Sequence, residues 1–242
     1  MERIDFSLII ACYNEERVLE KNVNRIRQSF EGTCINYEII FVDDKSSDNT
    51  VDIARNIIRK HPGWHLIEHP KNMGRGRSVS DGIRLAKADI AGFTDIDLST
   101  SPWYLPRLIC EIESGADIAT AFRVYKLRPR TFFRCFLSKG YNMVMRMMLG
   151  VSLKDTETGC KVFNRKRIMS ILDDIKAEHW FWDTEVMVRS HLFGFKIVEV
   201  PTIFIREGLF TTVKIFKDTR RYIVNLIRFR KEIMRIRKKR GV

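Results

Sequence analysis

Three times in the first hundred residues, a short apolar run gives way to a polar cluster and then to apolar residues at helical spacing. Phe6-Ser7-Leu8-Ile9-Ile10-Ala11-Cys12-Tyr13 ends in Asn14-Glu15-Glu16, after which Val18, Leu19, Val23 and Ile26 share one helical face. Tyr37-Glu38-Ile39-Ile40-Phe41-Val42 runs into Asp43-Asp44-Lys45-Ser46-Ser47-Asp48, followed by Val51, Ile53, Ala54, Ile57 and Ile58. Trp64-His65-Leu66-Ile67-Glu68 precedes Asn72-Met73-Gly74-Arg75-Gly76-Arg77, which opens a helix through Val79, Ile83 and Leu85. Consecutive strands joined through helices pair in parallel, so the pattern predicts an α/β fold: a Rossmann-like, mostly parallel sheet flanked by helices. Further strands are expected at Ala88–Thr94, Ala116–Arg123 and Phe195–Val200, the last ended by Pro201.

Open parallel sheets bind ligands outside the carboxyl ends of their strands. Tyr13-Asn14-Glu15, Asp43-Asp44, Gly74-Arg75-Gly76 and Asp95-Ile96-Asp97 all fall at such ends. On an extended strand, residues two apart point the same way, so Asp95 and Asp97 are placed to share one hard cation. Taken alone, the pair equally fits a strand end and turn, where Asp is common. Four clusters on one rim, offering carboxylates, backbone amides and a cation pair, describe a pocket for a nucleoside diphosphate. The Gly-Arg-Gly element lacks the spacing of a P-loop or a dinucleotide fingerprint. It does open a helix, where backbone N–H groups and Arg75 favour an anion.

The composition includes 45% hydrophobic residues, enough for a core and against extended disorder. A net charge of +13 implies an anionic partner. The excess sits in a tail, since Arg220 to Arg240 carries ten Lys or Arg and a single acid, Glu232. Five scattered cysteines without a Cys-x-x-Cys pair indicate neither a disulfide framework nor a zinc site, which fits a reducing, cytoplasmic setting. The N-terminus runs into a strand pattern without an apolar leader, and Thr131–Val151 is interrupted by Arg134, Lys139 and Arg146, so neither is expected to enter a membrane.

Four motifs in order, Ile9-Ile10-Ala11-Cys12-Tyr13-Asn14-Glu15-Glu16, Val42-Asp43-Asp44-Lys45-Ser46-Ser47-Asp48-Asn49-Thr50, Asn72-Met73-Gly74-Arg75-Gly76 and Asp95-Ile96-Asp97-Leu98-Ser99-Thr100, resemble the family 2 inverting glycosyltransferases of GT-A fold. Asp155-Thr156-Glu157-Thr158-Gly159-Cys160-Lys161-Val162-Phe163 is similar to the dolichyl-phosphate sugar synthases within that family. Lys45 departs from the pattern, which usually has Gly after the paired aspartates. The resemblance implies a nucleotide-sugar donor held by Tyr13, Asn14, Glu15, Asp43, Asp44, Gly74, Arg75, Asp95 and Asp97, with Asp44 and Glu15 toward the base or ribose. It implies Mg²⁺ or Mn²⁺ on Asp95 and Asp97, with Ser99 at the position of a third ligand. It further implies a polyprenyl or dolichyl phosphate bound by Arg123, Arg134, Ser138 and Arg206.

On the residues themselves, the cations from Arg123 to Arg134 fit either a solvated face or, interleaved with Phe132, Phe133 and Phe136, a surface meeting lipid and phosphate. A phosphate acceptor is already anionic and needs no obligatory base, leaving Asp97 and Arg123 to balance charge. A hydroxyl acceptor would call on Asp155 as base, although Asp155 equally fits a turn aspartate orienting its loop. Trp180 and Trp182, in His179-Trp180-Phe181-Trp182-Asp183, fit either core packing or contact with sugar and prenyl chain. The expected architecture is a glycosyltransferase domain over 1–212 and basic amphipathic helices over 213–242. Ile223, Leu226, Ile227, Ile233, Met234 and Ile236 then form a stripe that meets the membrane surface or packs on the domain.

These expectations converge on a metal-dependent hexosyltransferase peripheral to the cytoplasmic membrane face, using UDP-glucose first and GDP-mannose second. Transfer to a glycan or small-molecule hydroxyl is the other enzymatic reading. A basic nucleic-acid-binding protein is the non-enzymatic one. Nucleic acid is not expected as a partner, because no binding module is visible and the rim carboxylates would repel phosphate without a cation.

Overall fold

A computed structural model describes residues 3–125, 143, 146–204 and 215–240, with side chains of the last segment described at 224–235 and 238. β1 (Phe6–Cys12), β2 (Tyr37–Asp43), β3 (His65–Glu68) and β4 (Ile90–Thr94) alternate with α1 (Leu19–Phe30), α2 (Thr50–Arg59) and α3 (Arg75–Leu85). A 3₁₀ turn (Pro102–Tyr104) leads into α4 (Leu105–Glu113) and β5 (Ile118–Tyr125). After it come β6 (Cys160–Asn164), α5 (Arg165–Leu172), α6 (Phe181–Leu192), β7 (Ile197–Phe204) and α7 (Ile215–Arg240).

One seven-stranded sheet has the order β3-β2-β1-β4-β6-β5-β7. β1 pairs in parallel with β2 and β4, β2 with β3, and β5 with β7. β6 alone runs antiparallel, between β4 and β5. The predicted alternation is realised residue by residue. Leu8, Ile10, Ile39 and Phe41 face a core closed by α1, α2 and α4, through Leu19, Val23, Ile26, Ala54, Ile57, Leu105 and Leu108. Ile9, Ile40 and Val42 face the opposite core with Val79 and Ile83 of α3, Ile168 of α5 and Trp182 and Val186 of α6. Both faces are covered, so the strands read as continuous apolar runs.

Three expectations need correction. β6 was not anticipated, because its five residues carry a lysine, Lys161, in the middle of the sheet. β7 does not stop at Pro201 but continues to Phe204, with Pro201 opposite Phe122. It is an edge strand, where proline is tolerated. β4 ends at Thr94, so Asp95 and Asp97 lie in the turn beyond it and strand alternation does not set their directions. Leu98 there has φ +49, and its N–H donates to Asp95 O at 3.0 Å.

The basic C-terminal stretch is one helix over its described length, and its apolar residues are divided between two faces. Leu226, Phe229 and Ile233 are buried in the core beside Phe181. Val224, Ile227 and Met234 are exposed. Phe229 meets Phe181 edge to face at 5.7 Å, and Glu232 accepts from Arg189 at 2.9 Å. Among the described residues, no helix is long and apolar enough to cross a membrane. Because Phe229 is a core residue, Phe229→Ala should lower unfolding free energy by about 3–5 kcal/mol. Urea denaturation would measure this, and an unchanged midpoint would detach α7 from the folding unit.

Candidate active site

Backbone turns at the ends of β1 and β2 fix the first wall of the rim. Asn14 (φ +57) and Lys45 (φ +66) both occupy left-handed conformations. Lys45 stands where the resembled pattern carries Gly, and the turn is kept at the cost of a strained lysine backbone. Ser47 N–H donates to Asn14 Oδ1 at 2.8 Å, Asn14 N–H to Ser46 Oγ at 2.9 Å and Glu15 N–H to Thr50 Oγ1 at 2.8 Å, tying the two loops together. Tyr13 is half exposed beside them.

The paired aspartates have different partners. Asp44 is buried, and its carboxylate accepts from Met73 N–H at 2.6 Å and Gly74 N–H at 2.8 Å, with His69 Nδ1 at 2.9 Å. It shapes the third loop. Asp43 Oδ2 accepts from Ser46 N–H at 3.0 Å, whereas its buried Oδ1 takes no hydrogen bond among the described residues. That atom is an acceptor awaiting a donor.

Arg75, the first residue of α3, places Nε and Nη2 at 2.7 and 2.6 Å from Asp95 Oδ1 and Nη1 at 2.6 Å from Asp183 Oδ2. Its guanidinium lies 4.9 Å from the Phe93 ring centroid and 5.4 Å from that of Trp180. Burial works against its charge, but Asp183 and Asp95 outweigh that and push its pKa further up. Lys161, fully buried in β6, donates to Asp183 Oδ1 at 2.7 Å and to the Thr158 carbonyl. Gly74 has φ +97, and a Cβ there would lie 2.4 Å from Glu178 O. The Glu178–Trp182 segment can therefore lie directly over the start of α3. Trp182 is core, its Nε1 donating to Ser80 Oγ at 2.9 Å, while Trp180 is half exposed.

Asp97 is exposed, its carboxylate accepting from Ser99 N–H at 2.9 Å and Ser99 Oγ at 2.7 Å. Asn22 Nδ2 donates to Ile96 O at 2.7 Å and holds this turn from α1. Glu15 is pushed up to about 7 by burial, then by the charges of Asp97, Asp95 and Asp48. Asp95 is raised by burial, with Arg75 opposing and Asp97 and Asp183 adding. Among the described residues, no group of three His, Cys, Asp or Glu stands ready-made as a metal cage. Two carboxylates with a third beside them nevertheless suit a small divalent ion that takes its remaining ligands from a diphosphate and water.

Across the rim, Arg123 at the end of β5 donates to Asp155 through Nε at 2.6 Å and Nη2 at 2.8 Å. Burial would raise Asp155, but these bonds and the charge of Arg123 outweigh it and hold the group below its usual range. Glu157 behaves oppositely. Burial pushes it up to about 7, Arg123 opposes, Asp155 and Asp183 add to the rise, and Lys161 opposes more weakly. Gly159 abuts Asp95 so closely that a Cβ there would overlap Asp95 Oδ2, and Asp95 N–H donates to Gly159 O at 2.8 Å. Arg134, Ser138 and Arg206 lie outside the described residues.

Sequence reasoning missed Asn22, Glu157, Lys161 and Asp183 as individual contributors. Asn22 was detectable as a polar residue between Leu19, Val23 and Ile26 on an apolar face, and Lys161 as a charge in an apolar run.

Over 94% of this chain, the fold matches that of glucosyl-3-phosphoglycerate synthase from Mycobacterium tuberculosis solved with UDP. The TM-score is 0.72 at 18% identity, and 80% of that chain is covered. The same enzyme solved with Mn²⁺, UDP-glucose and phosphoglyceric acid gives a TM-score of 0.72 at 17% identity, covering 94% of this chain and 80% of that one. The architecture is thus of the GT-A glycosyltransferase type. The sequence profile described as Glycosyl transferase family 2 matches residues 7–172, and the chain belongs to that family.

Among its relatives, a dolichol-phosphate mannosyltransferase from Pyrococcus furiosus is 32% identical over 95% of this chain and 66% of its own length. A dolichyl-phosphate beta-glucosyltransferase from Trichomonas vaginalis is 29% identical over 81% of this chain and 62% of its own length. Glycosyltransferase AglD from Haloferax volcanii is 30% identical over 82% of this chain and 32% of its own length. The chain thus spans from about a third to about two thirds of these relatives.

The Asp155–Arg123 pair gives a pH signature. An aspartate lowered on folding stabilises fully above its unfolded value of about 3.9 and loses that contribution as pH falls through the lower folded value. Asp155→Asn should therefore be less stable than the parent at pH 7, with the difference closing below about pH 3.9. Thermal melts across pH would measure it, and a pH-independent gap would contradict the assignment.

Proposed function

We propose that this protein transfers a hexose from a nucleotide sugar to a polyprenyl or dolichyl phosphate at the cytoplasmic face of a membrane, with inversion at the sugar carbon. UDP-glucose is the first-choice donor and GDP-mannose the second. The observation that carries the donor half is the crowding of Glu15, Asp95 and Asp97 at the strand ends. Burial, and after it the charges of Asp97, Asp95 and Asp48, lift Glu15 to about 7, and a divalent cation on Asp95 and Asp97 would relieve the repulsive part. Mg²⁺ or Mn²⁺ held by Asp95 and Asp97, with Ser99 beside them, would stabilise charge developing on the leaving diphosphate.

The chain's own residues do the rest. Asp43 Oδ1 offers its unused acceptor to an N–H of the base, and Asp44 keeps the Met73–Gly74 amides in place. Arg75 fixes Asp95 from behind. The relatives named for dolichyl-phosphate substrates support the acceptor class, and the cations of Arg123 and α7 suit an anionic lipid face. Domain limits of 1–212 and 213–242, with α7 contributing membrane contact, belong to the same proposal.

Incubation with each nucleotide sugar, Mn²⁺ and a prenyl phosphate should give a lipid-linked sugar from one donor, and no such product from any donor would overturn the acceptor class. Asp97→Ala should abolish the Mn²⁺ dependence of UDP binding in calorimetry while leaving vesicle binding unchanged. Asp43→Ala should weaken nucleotide binding by about 10- to 100-fold, the value of one hydrogen bond to a charged group, with Mn²⁺ dependence retained.

A further inference from the structure

Asp155 and Glu157 sit on one loop between the two halves of the rim, two residues apart, in contrasting environments. Both oxygens of Asp155 are taken by Arg123, at 2.6 and 2.8 Å, and Arg123 N–H adds a third bond at 3.2 Å. A carboxylate gripped in this way is a poor proton acceptor, since protonation would break a buried ion pair. The Asp155 carboxylate also accepts Glu157 N–H at 3.2 Å, which fixes the Glu157 backbone. The Glu157 side chain is about a third exposed, and Arg123 Nη2 stands 3.9 Å from it, beyond hydrogen-bonding distance. Two residues further on, Gly159 lies against the Asp95 carboxylate. The loop that carries Glu157 thus touches Arg123 on one side and, through Gly159, Asp95 on the other.

We propose that Glu157, and not Asp155, takes the proton that the acceptor gives up as its oxygen bonds to the sugar carbon. The acceptor oxygen forms the new bond to the anomeric carbon, and the bond from that carbon to the diphosphate oxygen breaks. Its electron pair stays on the departing nucleoside diphosphate, and the acceptor proton passes to a Glu157 carboxylate oxygen and then to solvent. With a hydroxyl acceptor, the need is plain. With a phosphate monoester, the step applies to the monoanion, which still carries one proton, while the dianion needs no base.

The groups facing Glu157 are Arg123 on β5, Asp155 on its own loop, Lys161 on β6 and Asp183 on α6. Burial, tempered by these charges, pushes it up to about 7, close to the operating pH that suits a general base. The inference rests on the transferase reading but not on the identity of the acceptor, because water attacking the donor must lose a proton in the same way.

The test uses the full chain with Mn²⁺ and nucleotide sugar. It follows both transfer to a prenyl phosphate and hydrolysis of the donor by water, from pH 5.5 to 9. In the parent, kcat/KM should fall about tenfold per pH unit below about pH 7, because the base is active only when deprotonated. Glu157→Gln should lower kcat by about 10²- to 10⁴-fold and flatten that acid limb, with the UDP dissociation constant unchanged. Glu157→Asp should restore the limb in part, and Asp155→Asn, followed under conditions where it remains folded, should retain it. A Glu157→Gln enzyme that keeps the parental acid limb in both reactions would overturn the assignment. Hydrolysis that depends on Glu157 without any lipid product would instead fault the acceptor class proposed above.

Discussion

A line of four buried or half-buried charges, Asp95, Arg75, Asp183 and Lys161, holds the site together. Removing either middle member, Arg75 or Asp183, strands the end charge beyond it in a low dielectric, where an unpaired charge costs several kcal/mol. The line joins four elements distant in sequence: the turn after β4, the start of α3, the first turn of α6 and the start of β6. It closes on itself, because Lys161 also reaches the Thr158 carbonyl and the following Gly159 returns to Asp95. An apolar core could hold these elements as tightly. What the charges add is direction, since each hydrogen bond fixes an angle as well as a distance, and Asp95 is aimed as a result.

This dependence explains which parts of the molecule were legible from sequence. The first half of the rim was readable because its signals are local. Each strand, loop and helix from Phe6 to Leu85 announces itself within its own stretch of chain, and the order of the motifs supplied the rim. The ion-pair line was not readable, since its members are separated by as many as 108 positions and each looks ordinary in its own neighbourhood. β6 escaped for the same reason. Lys161 and Asn164 leave only three apolar residues among the five of β6, and the lysine makes sense only once Asp183 is known to stand opposite. Pro201 misled in the other direction, because a proline stops a central strand but is tolerated on an edge, and the sequence pattern did not place that strand at the edge.

Asp155 and Glu157 teach a related lesson about acids. Sequence assigns both the same chemistry, and spacing favours neither. Their environments separate them: one is spent on Arg123 and held ionised, the other sits near enough to Arg123 to be steadied by it yet too far to be neutralised. The C-terminal helix likewise has enough apolar residues for two faces, and packing against Phe181 determines that Leu226, Phe229 and Ile233 go inward.

The antiparallel course of β6 between β4 and β5 carries a mechanical consequence. Gly159 introduces this strand with bare backbone against the Asp95 carboxylate, so no rotamer lies between them to absorb a displacement. The loop that bears Asp155 and Glu157 is thereby in direct contact with the turn that carries Asp95. The two halves of the rim therefore meet through backbone rather than as two adjustable walls, and a side chain introduced at Gly159 would displace Asp95.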